Sequence, residues 1–194
     1  MDTLLNLSGG IDSAYCLYQY ALSKTPLLIH FCELINHEGR ASYEKKAVKN
    51  LLKWINYNLP FEYKYIETSF DYRNAGRPIV KDKYIIGFTT ALVLNNRLAE
   101  SVDKVIISSN KEDVSRLEYM EKTEAIRKLL ITSLGKNVEY IYPIREKTKA
   151  ELIQELPADY LKYTWFCRTP KEGKPCGQCH TCRQVLPHLN RKLN

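Results

Sequence analysis

The sequence predicts an α/β fold in which a parallel sheet is flanked by helices on both faces. Apolar runs of strand length alternate with helical runs from the N-terminus to about residue 157, which is typical of parallel strands joined by helical crossovers. The first strand also leads through two adjacent glycines directly into a helix. Because ligands of such sheets bind at the carboxyl ends of the strands, a functional site is expected at this first turn.

The predicted elements follow from hydrophobic periodicity and from helix-capping signals. The run at 84–99 is apolar enough to be well buried, and Thr148 with Glu151 forms a capping box for a helix that Pro157 closes. Strands are expected at 4–7, 27–34, 61–68, 105–109 and 138–144, and helices at 13–22, 42–59, 84–99, 120–134 and from 148 onward.

The composition is that of one packed domain with a small appended module. A chain of 194 residues with 44% hydrophobic side chains can build a core, so disorder is not expected. We predict a main domain at 1–157 and a C-terminal module at 158–194. No apolar run is long enough to cross a bilayer, and the N-terminus lacks the pattern of a signal peptide. A cytoplasmic location without membrane contact is expected.

Positive charge is concentrated near the C-terminus. The whole chain carries a net charge of +7, and the segment 160–194 has seven Lys or Arg side chains against Glu172 alone. Such a surface suits ATP, an acidic substrate, tRNA or another nucleic acid. A solvated basic face is at least as common, so the charge by itself does not establish nucleic-acid binding.

The segment 8–13, with the sequence SGGIDS, joins the first strand to the first helix. Gly9 is expected to supply a positive φ, and Asp12 or Ser13 to cap the helix. Gly9 with Gly10 also lets a phosphate approach the backbone, where the first-turn N–H groups and the helix dipole attract it. The hydroxyls of Ser8 and Ser13 can donate to the same oxygens. We favour phosphate binding over an unliganded capped turn.

Four cysteines are crowded together near the C-terminus in the pattern C-x8-C-x2-C-x2-C. Four thiolates around a turn at Gly177 can complete a tetrahedral shell, which is typical of a structural zinc site. An iron–sulfur cluster is the competing interpretation. His180 and His188 are expected to be ordinary surface histidines, and the remaining Cys16 and Cys32 to be buried apolar side chains. The four ligands are Cys167, Cys176, Cys179 and Cys182.

The segment 8–13 resembles the loop of the PP-loop ATP pyrophosphatases, a superfamily that includes GMP and NAD synthetases and tRNA thiolases. The chain as a whole resembles the 7-cyano-7-deazaguanine synthase (QueC) family of that superfamily. The likeness is strongest in the sequences TWFC at 164–167 and CGQCHTC at 176–182, and it extends to PI at 143–144 and KAE at 149–151.

This resemblance implies an adenine nucleotide alpha-hydrolase-like fold and an ATP-dependent carbon–nitrogen ligase of queuosine biosynthesis. Such an enzyme converts 7-carboxy-7-deazaguanine into a nitrile with ammonia and two ATP, releasing AMP and pyrophosphate. Ser8, Gly9 and Gly10 would bind the phosphates. Asp12, Ser13 and Lys149 would be catalytic, with Lys149 reaching the phosphates and Asp12 a candidate Mg²⁺ ligand.

The middle of the chain departs from the family pattern. KDKY at 81–84 stands where the family has proline-glycine-arginine-asparagine, and RLEYME at 116–121 replaces the segment that recognises the base. We therefore predict an intact nucleotide-activating scaffold with an altered pocket for a deazapurine-like substrate. Lys83, Asp113 and Ser115 are the residues expected to face that substrate.

Three function classes remain open from the sequence. The first is a QueC-type ligase, the second is a PP-loop enzyme that modifies tRNA or another nucleic acid, and the third is an inactive nucleotide or base binder. ATP consumption separates the third class from the others, and a requirement for tRNA separates the second. A homodimer is also left open.

Overall fold

The fold is a five-stranded parallel sheet with helices on both faces, which confirms the predicted class. The computed structural model describes residues 1–75, 82–114, 117–134 and 136–193. The strands lie in the order β3-β2-β1-β4-β5, and every neighbouring pair is parallel. Their bounds are β1 Thr3–Asn6, β2 Leu27–Ile35, β3 Tyr63–Asp71, β4 Lys104–Ile106 and β5 Glu139–Ile141.

Eight α-helices are described along the four described ranges. They are α1 Ile11–Leu22, α2 Ala41–Asn58, α3 Asp82–Leu94, α4 Lys111–Val114, α5 Leu117–Ser133, α6 Lys149–Glu155, α7 Ala158–Leu161 and α8 His180–Leu193. Short 3₁₀ turns occupy Arg73–Ala75 and Arg97–Ala99. The sequence had predicted five of the helices, and it missed α4, α7 and α8.

The sheet separates two apolar cores because alternate side chains of a strand point to opposite faces. Leu5 packs in a core with α1, α2, α6, α7 and α8, whereas Leu4 packs in a second core with α3 and α5. Both leucines are fully buried. The carboxyl edge of the sheet is therefore reached from two sides by two different groups of helices.

The predicted helix at 84–99 is shorter than expected. Helix α3 ends at Leu94, and Asn96 accepts a hydrogen bond from the Leu98 backbone N–H to start the 3₁₀ turn. Seven of its 13 residues are buried, but Phe88 and Leu92 are 36% and 50% exposed, so one face of the helix is buried and the other is partly open to solvent. No helix in the described ranges is both long and apolar enough to span a membrane.

The capping box is formed as predicted. The Thr148 side chain accepts from the Glu151 backbone N–H, and the Glu151 carboxylate accepts from the Thr148 backbone N–H. This fixes Lys149 as the first residue of α6. The C-terminal segment packs against the main core through Val185 of α8, which is fully buried. The division into 1–157 and 158–194 stays a prediction.

Candidate nucleotide site and cysteine cluster

The loop between β1 and α1 is shaped by its first glycine. Gly9 has a φ of +78°, as predicted. A Cβ at this position would lie 3.0 Å from the Ala47 Cβ and 3.0 Å from the Glu44 carbonyl oxygen. Gly9 is thus required twice, for a left-handed backbone and for close approach to α2.

The prediction that Asp12 or Ser13 caps α1 is wrong. The N-cap residue is Gly10, and no side chain caps the helix. The Ser13 hydroxyl instead accepts the Ser8 backbone N–H at 3.1 Å and donates to the Gly10 carbonyl at 3.2 Å. Because no side-chain cap bonds the N-terminus of α1, its first-turn N–H groups suit an anion better than those of a capped turn would.

Lys149 of α6 lies against the Asp12 carboxylate at the start of α1. Its ammonium pairs with both oxygens of Asp12, and Asn110 donates to one of them at 3.0 Å. The Glu112 carboxylate accepts the Lys149 backbone N–H at 2.9 Å. Lys149 is only 7% exposed, so it is not a solvated first-turn lysine. The fold therefore brings together two of the three predicted catalytic side chains, with Ser13 one residue away.

A cleft of about 310 Å³ opens beside this pair at the carboxyl edge of the sheet. Ser8, Gly10, Asp12, Ser13 and Lys149 line one part of it. Lys83 and Asp113, both predicted substrate residues, line it as well, whereas Ser115 lies outside the described residues. The cleft thus contains the loop and the predicted substrate residues that the structure describes.

A network of buried and partly exposed charges lies along one wall of the cleft. Arg40 pairs with Glu38, Glu44 and Asp82. Arg168 pairs with Glu38 at 3.0 Å and with Asp82 at 2.8 Å. Burial raises the pKa of Glu44 to about 7 despite the Arg40 guanidinium. Burial also works to raise the pKa of Asp82, but the two arginines outweigh it and the net shift is downward.

The segment before the cysteine cluster holds the nucleotide loop directly. The Trp165 backbone N–H donates to the Gly9 carbonyl at 2.8 Å. The Trp165 ring stacks on Tyr43 of α2, with ring centroids 4.5 Å apart. Two residues further on, Cys167 is the first of the four clustered cysteines. The loop and the cysteine cluster are therefore linked by a short stretch of backbone.

The four predicted metal ligands do converge. Their Sγ atoms all lie within 4.8 Å of one another, and Cys176 and Cys182 approach to 3.9 Å. Backbone N–H groups donate to three of the sulfurs, at 3.2 Å to Cys167, 3.3 Å to Cys176 and 3.4 Å to Cys179. These bonds stabilise thiolate charge, so the cluster fits a metal ion.

One pair of sulfurs lies at the separation found in a tetrahedral zinc shell. With zinc–sulfur bonds of about 2.3 Å, a tetrahedral shell separates its sulfurs by about 3.8 Å. In a four-iron cluster the iron and sulfide atoms lie between the cysteine sulfurs, so the distances between those sulfurs are longer than around a single ion. The 3.9 Å approach of Cys176 to Cys182 therefore fits a single ion.

Several residues that line the cleft or contact its lining were not predicted from the sequence. Asn110 follows β4 at the carboxyl edge, where a polar residue after a buried strand is itself a signal. Arg40 and Arg127 carry no such signal, because only tertiary packing brings them to the cleft. His30 also lines the cleft, between Asn6 and Thr68, and burial lowers its pKa to about 4. It is therefore neutral at physiological pH.

Substitution of Gly9 by alanine is expected to lower the free energy of unfolding by about 2 to 3 kcal/mol, through backbone strain and the contacts with α2. Chemical denaturation measures this change. Gly39→Ala is the matched control, since Gly39 has a φ of +68° but nothing within 4 Å of an added Cβ. It should cost only about 1 kcal/mol. Equal losses would show that the approach to α2 contributes nothing.

Comparison with known proteins extends these observations. No family model matches the chain. Two curated relatives, from two serovars of Leptospira interrogans, carry the name 7-cyano-7-deazaguanine synthase, and each is 27% identical over 91% of this chain and 81% of the relative. The chain is a QueC-like protein of the PP-loop fold. The resemblance that the sequence motifs indicated is confirmed at this level.

Two solved structures share the QueC-like chain's fold. One is the U34-tRNA thiolase NcsA from Methanococcus maripaludis with its [4Fe-4S] cluster, at a TM-score of 0.56 and 20% identity over 91% of this chain. This chain spans only 62% of the thiolase's length. The other is NMN synthetase from Francisella tularensis, at a TM-score of 0.53 and 14% identity, covering 100% of this chain and 84% of that one. Together the comparisons support a relation to ATP-utilising synthases.

Proposed function

We propose that this QueC-like protein is an ATP-dependent ligase that joins ammonia to a carboxylate of a deazapurine-like substrate. The observation that carries the proposal is the Lys149–Asp12 pair beside an uncapped helix N-terminus, in the cleft that also contains Lys83 and Asp113. The names of the Leptospira relatives support 7-carboxy-7-deazaguanine as the first substrate to test.

The nucleotide is bound by the loop between β1 and α1. Gly9 and Gly10 let its phosphates approach the backbone, and the positive end of α1 attracts their charge. Lys149 moves from Asp12 to the phosphate oxygens and stabilises the charge that develops on departing pyrophosphate. Mg²⁺ would screen the phosphates, and Asp12 can serve as its ligand once Lys149 has left.

The proposed chemistry has two activations. A carboxylate oxygen of the substrate attacks the α-phosphorus of ATP, and pyrophosphate leaves. Ammonia then attacks the activated carbon, AMP leaves, and an amide forms with loss of a proton. A second ATP activates the amide oxygen in the same way. Departure of the second AMP, with loss of the amide protons, leaves the nitrile.

We also propose zinc as the ion bound by Cys167, Cys176, Cys179 and Cys182. Four thiolates leave no open position for water or substrate, so the ion is structural and contributes folding energy. Its effect on the cleft is indirect, through the Trp165 backbone that holds Gly9.

The product assay tests this function. Purified protein with ATP, Mg²⁺, ammonium and 7-carboxy-7-deazaguanine is expected to give the cyano product by mass spectrometry, with two AMP released for each nitrile. Release of ADP and inorganic phosphate would contradict the mechanism. ATP-dependent labelling of tRNA without nitrile formation would indicate an enzyme that modifies nucleic acid. Binding of ATP without turnover would indicate an inactive nucleotide binder.

A further inference from the structure

The cleft contains a buried arginine that the proposed chemistry has not used. Arg127 of α5 lines the cleft and is 9% exposed. Its guanidinium makes no hydrogen bond or ion pair to any residue in the described part of the chain, and its Nε is fully buried. Buried polar groups in folded proteins are nearly always hydrogen-bonded, so an exception at a cleft indicates a missing ligand.

Other unpaired buried groups point to the same place. Within the described ranges, three buried side-chain polar atoms lack a hydrogen-bond partner: Ser108 Oγ, Arg127 Nε and Tyr140 Oη. Ser108 and Arg127 both line the cleft. Two of the three residues that carry these atoms therefore line the cleft.

Gly87 of helix α3 leaves space for the Arg127 side chain. A Cβ at Gly87 would lie 3.0 Å from the Arg127 Cγ and 3.4 Å from its Cα. Glycine is unfavourable inside a helix, so its presence here is explained by the close passage of Arg127. Lys83 lies four residues earlier on α3, and therefore on the same helix face.

The acid nearest Arg127 is already engaged by other side chains. Burial lowers the pKa of Arg127 and of Lys83. Glu124 is the acidic residue near Arg127 on α5, but its carboxylate accepts from Tyr142 and pairs with Lys128 at 3.1 Å. The charge of Arg127 is therefore not taken up by Glu124, whereas Lys83 lies near Asp113.

We propose that Arg127 binds the carboxylate of the acceptor substrate, with Lys83 adding positive charge, and so makes the cleft prefer an anionic acceptor over a neutral one. The inference rests on the proposed ligase function. A planar guanidinium matches a carboxylate, because two parallel N–H groups can donate to its two oxygens. The binding residue is new, since Arg127 lies outside every segment that carries the family resemblance.

The acceptor is favoured over ATP because of where Arg127 lies. The phosphate loop and Lys149 belong to α1 and α6, which cover the face of the sheet on which Leu5 packs. Arg127 comes from α5 and Lys83 from α3, which cover the opposite face. The cleft is thus lined by one group of helices for the nucleotide and by another for a second reactant.

A ligand-binding role predicts an unusual stability effect. An arginine that stabilises the fold through contacts would lower the melting temperature when replaced. Arg127→Met keeps the length of the side chain and removes an unpaired buried charge, so we expect an unchanged or higher melting temperature. Arg127→Lys, which keeps charge but lacks the planar fork, should bind the carboxylate at an intermediate level.

Titration calorimetry on the full chain tests the proposal with two matched pairs of probes. The first pair is 7-carboxy-7-deazaguanine and its neutral cyano counterpart, and the second is benzoate and benzamide. We expect the wild type to prefer the charged member of a pair, and Arg127→Met to weaken its binding about 10- to 100-fold. Lys122→Met is the control, because Lys122 is an exposed lysine of the same helix that does not line the cleft. A non-hydrolysable ATP analogue should bind all variants equally.

Four outcomes would overturn the inference. They are no preference for the charged probe in the wild type, unchanged carboxylate binding in Arg127→Met, an equal loss in Lys122→Met, or a loss of ATP-analogue binding in Arg127→Met. The benzoate pair keeps this test separate from the proposed function. If neither deazapurine binds but benzoate binding depends on Arg127, the substrate proposal fails and the carboxylate site stands.

Discussion

Replacement of Lys149 by methionine is expected to slow pyrophosphate release from ATP by about 100-fold or more, the usual cost of losing one positioned group that stabilises developing charge. The ammonium is almost buried against Asp12 and lines the cleft beside the uncapped end of α1. Methionine keeps most of the side-chain length, so the packing around α6 should survive. Pyrophosphate release in a coupled assay measures the effect.

The matched control for this experiment is Lys147→Met. Lys147 lies two residues earlier, pairs with Glu155 at 2.5 Å and does not line the cleft. Its loss should leave the rate within about twofold, as expected for an exposed ion pair. Asp12→Ala and Ser13→Ala are expected to reduce turnover as well while the fold is kept. Equal rates for wild type and Lys149→Met would remove Lys149 from the mechanism.

Loss of one cysteine ligand is expected to cost about 3 kcal/mol or more of stability together with the bound metal, since metal binding energy here is folding energy. Cys167→Ser is the most informative variant, because Cys167 is buried and lies two residues from Trp165. Metal content by elemental analysis should fall from one zinc per chain, and the unfolding midpoint should fall with it. Weaker ATP binding should follow, through the loop at Gly9.

Cys32→Ser provides the comparison for the metal experiment. Cys32 is half-buried on β2 and is not one of the clustered cysteines, so this variant should retain its zinc. Iron with labile sulfide in the wild type would contradict the zinc assignment. A Cys167→Ser protein with unchanged metal and stability would contradict the site itself.

The features that the sequence predicted well are local. The glycine turn at Gly9, the capping box at Thr148 and the cysteine spacing each lie within sixteen residues or fewer, where backbone geometry and spacing decide the structure. The same local reasoning gave a wrong prediction for the N-cap of α1, which is Gly10 and has no side-chain hydrogen bond. Ser13 had the right residue type, but its hydroxyl bonds Ser8 and Gly10 across the turn instead.

The features that the sequence could not predict depend on distant contacts. Arg127 reaches the cleft only because Gly87, 40 positions earlier, leaves room for it. Arg40 and Arg168 share Glu38 and Asp82 across most of the chain, and no periodicity connects them. Charged residues at such positions have the pattern of solvated surface until packing buries them.

The hydrogen bond from Trp165 to Gly9 has a consequence for the order of events during synthesis. The glycine turn leaves the ribosome early, but the backbone N–H that holds it is added more than 150 residues later. In a nascent chain the loop therefore lacks its hydrogen bond from Trp165 until the segment after α7 has emerged. A nascent chain that still lacks this segment therefore has an incomplete form of the proposed ATP site, which is completed only when the cysteine-containing segment folds back onto the first turn.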